Sequence, residues 1–218
     1  MIKVGIIRVL TTRDEDLLNA HGRLIESYFP QLKTVSRCIQ DQPEGIHDEH
    51  TKQIAVPKVV RLGREMEAEG VKALIISCAD DPGLDELRRN VKIPVIGAGS
   101  AAASLALALG RRIGVLTLTE GTPEPVKKIL GNSFLADIKP EGVTTTLDLL
   151  DEKRKTQLIS SARELKAKGA DVILLSCTGY ATIGIAQELK QSLGIPIVDP
   201  VLASAMATWY ATSALTQS

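Results

Sequence analysis

An internal duplication constrains this chain more than any other feature. The runs GVKALIISC, ending at Cys78, and GADVILLSC, ending at Cys177, each place a cysteine eight residues beyond a glycine, Gly70 and Gly169. Downstream, VKIPVIGAGSAAASLA and LGIPIVDPVLASAMAT each open a short apolar run with Ile-Pro and pass into a small-residue segment. Upstream, KVGIIRV from Lys3 and RIGVLTL from Arg112 align Gly5 with Gly114 and Arg8 with Thr117. A chain that repeats in this way folds as two similar halves. With 218 residues in total, each half has about 100, near the usual size of a domain.

Runs rich in Val and Ile near 3–9, 33–39, 72–77, 93–96, 112–118, 134–139, 171–176 and 195–198 alternate with helical patterns, best defined at 51–69 and 152–168. That alternation is the signature of βαβ units around a parallel sheet covered on both faces. Gly70 and Gly169 stand where a left-handed residue closes a helix before the next strand. The predicted fold is therefore α/β: two pseudo-symmetric lobes, each a four-stranded parallel sheet flanked by helices, with the active site in the cleft between them. The first lobe spans 1–98 and the second 99–199, followed by a terminal helix over 200–218. The helices SAAASLALALG and VLASAMATWYATSAL are apolar nearly all round, which predicts burial between the lobes or against another subunit, and a homo-oligomer.

Charge excludes several partners. Lys and Arg number 26 against 26 Asp and Glu, so no overall field draws nucleic acid or an anionic membrane. The opening MIKVGIIRVLTTRDED is too short in apolar residues for a secretory core, and no run approaches the roughly 20 apolar residues of a spanning helix. Three cysteines do not make a disulfide framework, so a reducing cytoplasm is expected and the thiols are free for chemistry. The expected partner is a small-molecule substrate.

In open parallel sheets ligands sit beyond the carboxyl ends of the strands, where Cys78 and Cys177 both fall. Each is expected just before a helix start, whose amides favour a thiolate over the free-cysteine pKa of about 8.5. The same amides suit a developing enolate oxygen. Inverting a carbon beside a carbonyl takes one group to remove the proton and another, opposite, to return it. A thiolate and a thiol in near-equivalent surroundings do this without a cofactor. The competing reading of the pair is an inert core cysteine copied by duplication.

Other polar residues at strand ends are candidates for holding substrate: Arg8 and Thr11 after the first strand, Thr117 and Thr119 after its repeat. An arginine can grip a carboxylate or imide oxygen, and threonine hydroxyls can bond a ring amide. Cys38 has no counterpart in the repeat and reads as structural. His47-Asp48-Glu49-His50 has an H-x-x-H spacing, but it follows the loop-like Gln42-Pro43-Glu44-Gly45 and reads as a solvated segment rather than a metal site. His21, in the first predicted helix, reads as structural rather than as a base. Gly97 and Gly99 give G-A-G-S after a strand, a poor dinucleotide fingerprint because the third glycine and the acidic residue are missing.

At ISCADDPGLDELR, IPVIGAGSAAA and GIPIVDPVLASA the chain resembles the aspartate/glutamate/hydantoin racemase superfamily, and within it the hydantoin and allantoin racemase branch. The resemblance covers nearly the whole chain. It implies two α/β lobes around a shared site, two-base chemistry by Cys78 and Cys177 with no cofactor or metal, and substrate held by the amides at Ala79, Asp80, Thr178 and Gly179. It also implies an exchange of helices that places the terminal helix on the first lobe. The chain differs from that branch where Arg8-Val9-Leu10-Thr11 stands in place of Asn-Pro-Asn, and where Thr-Gly-Tyr follows the second cysteine in place of Ala-Gly. The expected substrate is a 5-substituted hydantoin or related cyclic ureide. Aspartate or glutamate racemisation, maleate isomerisation and, outside enzymes, small-molecule binding remain alternatives. Malonate decarboxylation on such a scaffold needs only one cysteine.

Overall fold

The computed structural model describes residues 1–213. Strands β1 (Ile2–Arg8), β2 (Leu32–Cys38), β3 (Ala73–Ser77) and β4 (Val95–Gly97) form one parallel sheet in the order β2-β1-β3-β4. Strands β5 (Ile113–Thr117), β6 (Phe134–Ile138), β7 (Val172–Ser176) and β8 (Ile197–Val198) repeat it as β6-β5-β7-β8. Corresponding positions share a register: Arg8 lies beside Ser77, and Thr117 beside Ser176. All five residues of β3 and all five of β7 are buried, as expected of central strands covered on both faces.

The first half carries α1 (Glu15–Tyr28), α2 (Glu49–Ala68), α3 (Leu84–Asn90) and α4 (Ala98–Leu109). The second carries α5 (Glu124–Leu130), α6 (Lys155–Ala167), α7 (Gly179–Thr182), α8 (Ile185–Leu193) and α9 (Pro200–Ser213). Local chemistry sets the ends. The Asp14 side chain accepts from the amides of Asp16 and Leu17 to open α1, and Asp48 forms a capping box with Thr51 to open α2. After α2 and α6, Gly70 and Gly169 take φ of 87° and 96°, values a side chain resists.

Two strands are shorter than the apolar runs predict. Pro94 and Pro196 have no N–H to donate, so each serves only as an acceptor, from Leu74 N at 2.9 Å and Ile173 N at 3.0 Å, and the ladder begins one residue later. The helix expected from 152 begins at Lys155, after a 3-10 turn at Glu152–Arg154. The last five positions of the predicted terminal helix lie outside the described residues.

The closing helices cross over. Ala102, Ala103 and Ala106 of α4 pack on Val115, Val172 and Leu174 of the second sheet. Val201 and Ala205 of α9 pack on Val4, Ile6 and Ile75 of the first. Alanine along α4 lets its backbone approach the sheet closely, which explains the small-residue composition. Among the described residues no helix is long and apolar enough to cross a membrane.

Candidate active site

The carboxyl ends of both sheets open into one cavity of about 420 Å³. The chain departs to opposite sides of β1 and of β5, which leaves a crevice beyond β1/β3 and beyond β5/β7. Cys78, one residue past β3, and Cys177, one residue past β7, both line it. Both are free thiols with partial exposure. The cavity is thus walled by one cysteine from each half.

The surroundings of the two sulfurs are alike in plan and unlike in charge. Burial pushes both thiols up. This corrects the expectation that a helix terminus lowers them, because desolvation of a sulfur anion outweighs the few amides that reach it. The expected helix start after Cys78 is also absent: α3 begins only at Leu84, and a turn containing Asp81 at φ 47° and Gly83 at φ 69° intervenes. At Cys78 the neighbouring Asp80 and Asp81 carboxylates raise the thiol further, against one hydrogen bond from the Asp80 amide. At Cys177 the Gly179 amide donates to Sγ at 3.3 Å, Thr146 Oγ1 lies 3.7 Å away, and the Arg8 charge works in the thiolate's favour. The duplicated pair is therefore polarised, with anionic sulfur disfavoured most at Cys78.

Arg8 is 4% exposed, and its Nη1 donates to the carbonyls of Leu17 and Leu18 at 2.8 and 2.9 Å. Burial lowers its pKa to about 10. It lines the cavity as a cation tied to α1 rather than as an extended carboxylate clamp. Ala79, Asp80, Thr119 and Thr178 also line the cavity. Thr11, Thr117 and Gly179 do not. The Thr11 hydroxyl donates to Ile39 O at 2.6 Å and accepts from Gln42 N at 2.8 Å, which uses it to tie the loop after β1 to the loop after β2. Thr117 is 1% exposed and its hydroxyl donates to Gly121 O at 3.0 Å, so it holds a turn. Gly179 acts through its amide on sulfur, and a Cβ there would lie 2.4 Å from Thr146 Cγ2.

Several cavity residues escape a reading of the repeat. Lys52 on α2 donates to Asp80 at 2.8 Å. Burial works against the Lys52 ammonium, yet the bond to Asp80 prevails and its pKa is raised. The loop 44–49, including His47, forms one wall, and Thr144–Thr146 another. His47 therefore faces the cavity rather than open solvent, although among the described residues no cluster of three or more His, Cys, Asp or Glu could hold a metal. The Thr-Thr-Thr run at 144–146 was the available signal for the second wall.

Asp81 explains G-A-G-S. Its carboxylate accepts from Gly99 N at 2.9 Å, from Ser100 N at 2.7 Å and from Ser100 Oγ, pinning the turn after Cys78 to the start of α4. A Cβ at Gly97 would sit 2.4 Å from that carboxyl carbon, and one at Gly99 2.0 Å from Ala79 O. Gly97 thus makes room for the chain's own aspartate and Gly99 for the backbone at Ala79, which accounts for both glycines without a nucleotide.

The charge lining the cavity is lopsided. Glu44, Asp48, Glu49, Asp80, Glu120 and Glu124 face Arg8 and Lys52, the latter already paired. Two of the six are already paired, Asp80 with Lys52 and the exposed Glu120 with Lys139.

Comparison with known proteins gives a consistent picture. A family model described as Asp/Glu/Hydantoin racemase matches residues 19–208. A hydantoin racemase of Rhizobium meliloti is 32% identical over 171 residues, covering 75% of this chain and 70% of the relative. Among solved structures, an allantoin racemase from Klebsiella pneumoniae superimposes with a TM-score of 0.84 at 23% identity, over 98% of this chain and 89% of its own. A glutamate racemase from Bacillus anthracis does so with a TM-score of 0.73 at 17% identity, over 99% and 83%. At these identities the structural likenesses speak to the fold.

Proposed function

The chain belongs to the Asp/Glu/hydantoin racemase family and is a racemase, and from that premise we propose that it inverts the ring carbon of a 5-substituted hydantoin or related cyclic ureide by two-cysteine acid/base chemistry. The observation that carries the reading is the placement of Cys78 and Cys177, one from each half, on a single cavity. In one direction the Cys177 thiolate takes the proton from the carbon beside the carbonyl. The C–H electron pair passes into the carbonyl as an enolate, and the Cys78 thiol gives a proton to the opposite face. Cys78 is left as thiolate and Cys177 as thiol, the state that acts on the other enantiomer.

A ureide ring is preferred over aspartate, glutamate or maleate because of charge. Six carboxylates against two cations line the cavity, and Arg8 is already engaged with α1. A neutral ring avoids that repulsion; the Thr119, Thr144 and Thr145 hydroxyls donate to Gly121 O and to the Asp148 carboxylate and keep lone pairs for a ring N–H, while Thr146, beside the Cys177 sulfur, has a hydroxyl that can also donate to a ring carbonyl. The chain's similarity to the Rhizobium meliloti hydantoin racemase points the same way.

The test is incubation in deuterated water with single enantiomers of 5-substituted hydantoins and allantoin, with aspartate and glutamate as comparators. Loss of optical rotation together with exchange of the ring hydrogen is expected for the ureides. Turnover of glutamate or aspartate alone overturns the substrate assignment, and exchange with none of them overturns the reading as a whole.

A further inference from the structure

Behind the two cysteines a single imidazole joins the halves. His21, on α1, is 1% exposed. Its Nδ1 lies 2.7 Å from Ser77 Oγ and its Nε2 2.9 Å from Thr182 Oγ1. Ser77 immediately precedes Cys78. Thr182 ends α7, whose first residue, Gly179, donates to the Cys177 sulfur. One side chain thus touches both segments that carry the reactive thiols, and Thr178 Oγ1 adds a direct tie to Ser77 O at 3.1 Å.

Burial, reinforced by the Arg8 charge, holds the imidazole pKa well below its ordinary value, so the ring is neutral with one N–H and one lone pair. Hydroxyls at both ends accommodate either tautomer. The bridge is not a by-product of duplication. The counterpart of Ser77 is Ser176, whose hydroxyl is buried without a hydrogen-bond partner among the described residues. His21 also does not line the cavity, which removes it from proton transfer to substrate.

We propose that His21 is a positioning residue: a rigid strut that fixes the spacing of Cys78 and Cys177 across the cleft by holding Ser77 and Thr182 at once. The inference rests on the two-cysteine reading for its catalytic consequence and on geometry alone for the spacing. Two halves joined mainly by apolar helix contacts can slide, whereas a ring bonded at both ends cannot lengthen. Misplacing one reacting group by about an ångström costs about 100-fold in rate.

The experiment uses the full chain carrying Cys38→Ser, so that two thiols remain. A short bifunctional thiol reagent measures the rate at which Cys78 and Cys177 are joined, with peptide mapping of the product. In parallel, kcat and KM are measured on a racemised ureide. His21→Asn keeps a polar group near the Nδ1 position and His21→Gln one near Nε2, while Thr182→Val removes one end of the bridge at constant volume and serves where a ring replacement fails to fold. Each variant is expected to be joined about 10-fold more slowly than the parent and to lose about 100-fold in kcat with KM within about 3-fold. Folded variants with parental joining rate and kcat overturn the proposal, as does a parent whose thiols are not joined at all. If no substrate is found, the joining rate still decides the spacing, so this failure and that of the proposed reaction are told apart.

Discussion

Gly99→Ala isolates the coupling between α4 and the Cys78 turn. A methyl at this position would stand 2.0 Å from Ala79 O, 2.8 Å from Ala79 C and 3.1 Å from Ala79 Cα. The closest approach real Cβ atoms show is 3.0 Å, so the two backbones must part by about an ångström. No flexible side chain can absorb that movement, because every clashing atom is main chain. Alanine has the better helix propensity by up to about 1 kcal/mol, yet forced overpacking costs about 1–3 kcal/mol and dominates. For a chain of this size each kcal/mol lowers Tm by about 2–4 °C. The residue displaced, Ala79, lies between Cys78 and Asp80, whose amide holds the sulfur. A shift of this size at a reacting group lowers kcat about 100-fold. Thermal unfolding and racemisation followed by polarimetry read the two effects, with Ser104→Ala, an exposed substitution on the same helix, as reference. A Gly99→Ala protein with parental kcat would refute the claim that α4 and the Cys78 turn are in essential contact.

Replacing either cysteine by serine should reduce racemisation by about 10²–10⁴-fold, checked by rotation and ring-hydrogen exchange; full turnover in both variants would end the two-base assignment. The charge asymmetry predicts that Cys177, in a Cys38→Ser, Cys78→Ser background, reacts with iodoacetamide at lower pH than Cys78 in the matching Cys177→Ser protein; equal profiles refute it. Burial raises Asp81 to about 6 against its bonds to Ser100 and Gly99. A carboxyl raised in the folded state contributes stability that is complete below about pH 4 and lost as pH rises through about 6, on the order of 3 kcal/mol. Urea unfolding at pH 5 and pH 7, which spans the later part of that loss, should show a decline of about 1 kcal/mol in the parent and a smaller one in Asp81→Asn. An unchanged slope in the variant would assign the decline to other groups.

Two classes of feature separate in how far the sequence reveals them. Gly70, Gly169, Ile93-Pro94 and Ile195-Pro196 are local signals, and the repeat copies them, so both sheets and the positions of Cys78 and Cys177 follow from adjacent residues. Lys52 and Asp80 stand 28 residues apart, and His21 lies 56 residues from Ser77 and 161 from Thr182. No periodicity connects such pairs, because residues this far apart in the chain meet only in three dimensions. The thiol pKa values escape the sequence for another reason: a sequence marks where a strand ends, while the loss of water around a sulfur depends on everything folded over it. Thr11 shows the same limit, since a hydroxyl at a strand end can face the cavity or bond the next loop, and Ile39 and Gln42 decide between them.

The crossing of α4 and α9 gives the two halves a shared fate. A cut in the segment 110–112 would leave an N-terminal fragment whose sheet has lost the Val201 and Ala205 cover over Val4, Ile6 and Ile75, and whose own α4 has nothing to lie on. Each fragment alone bares apolar surface that the other covers, so such a nick should be silent while the pieces stay together and should lead to aggregation once they are pulled apart. By the same logic a single-copy version of this unit would satisfy its bare sheet only by lending its last helix to a twin and borrowing the twin's in return.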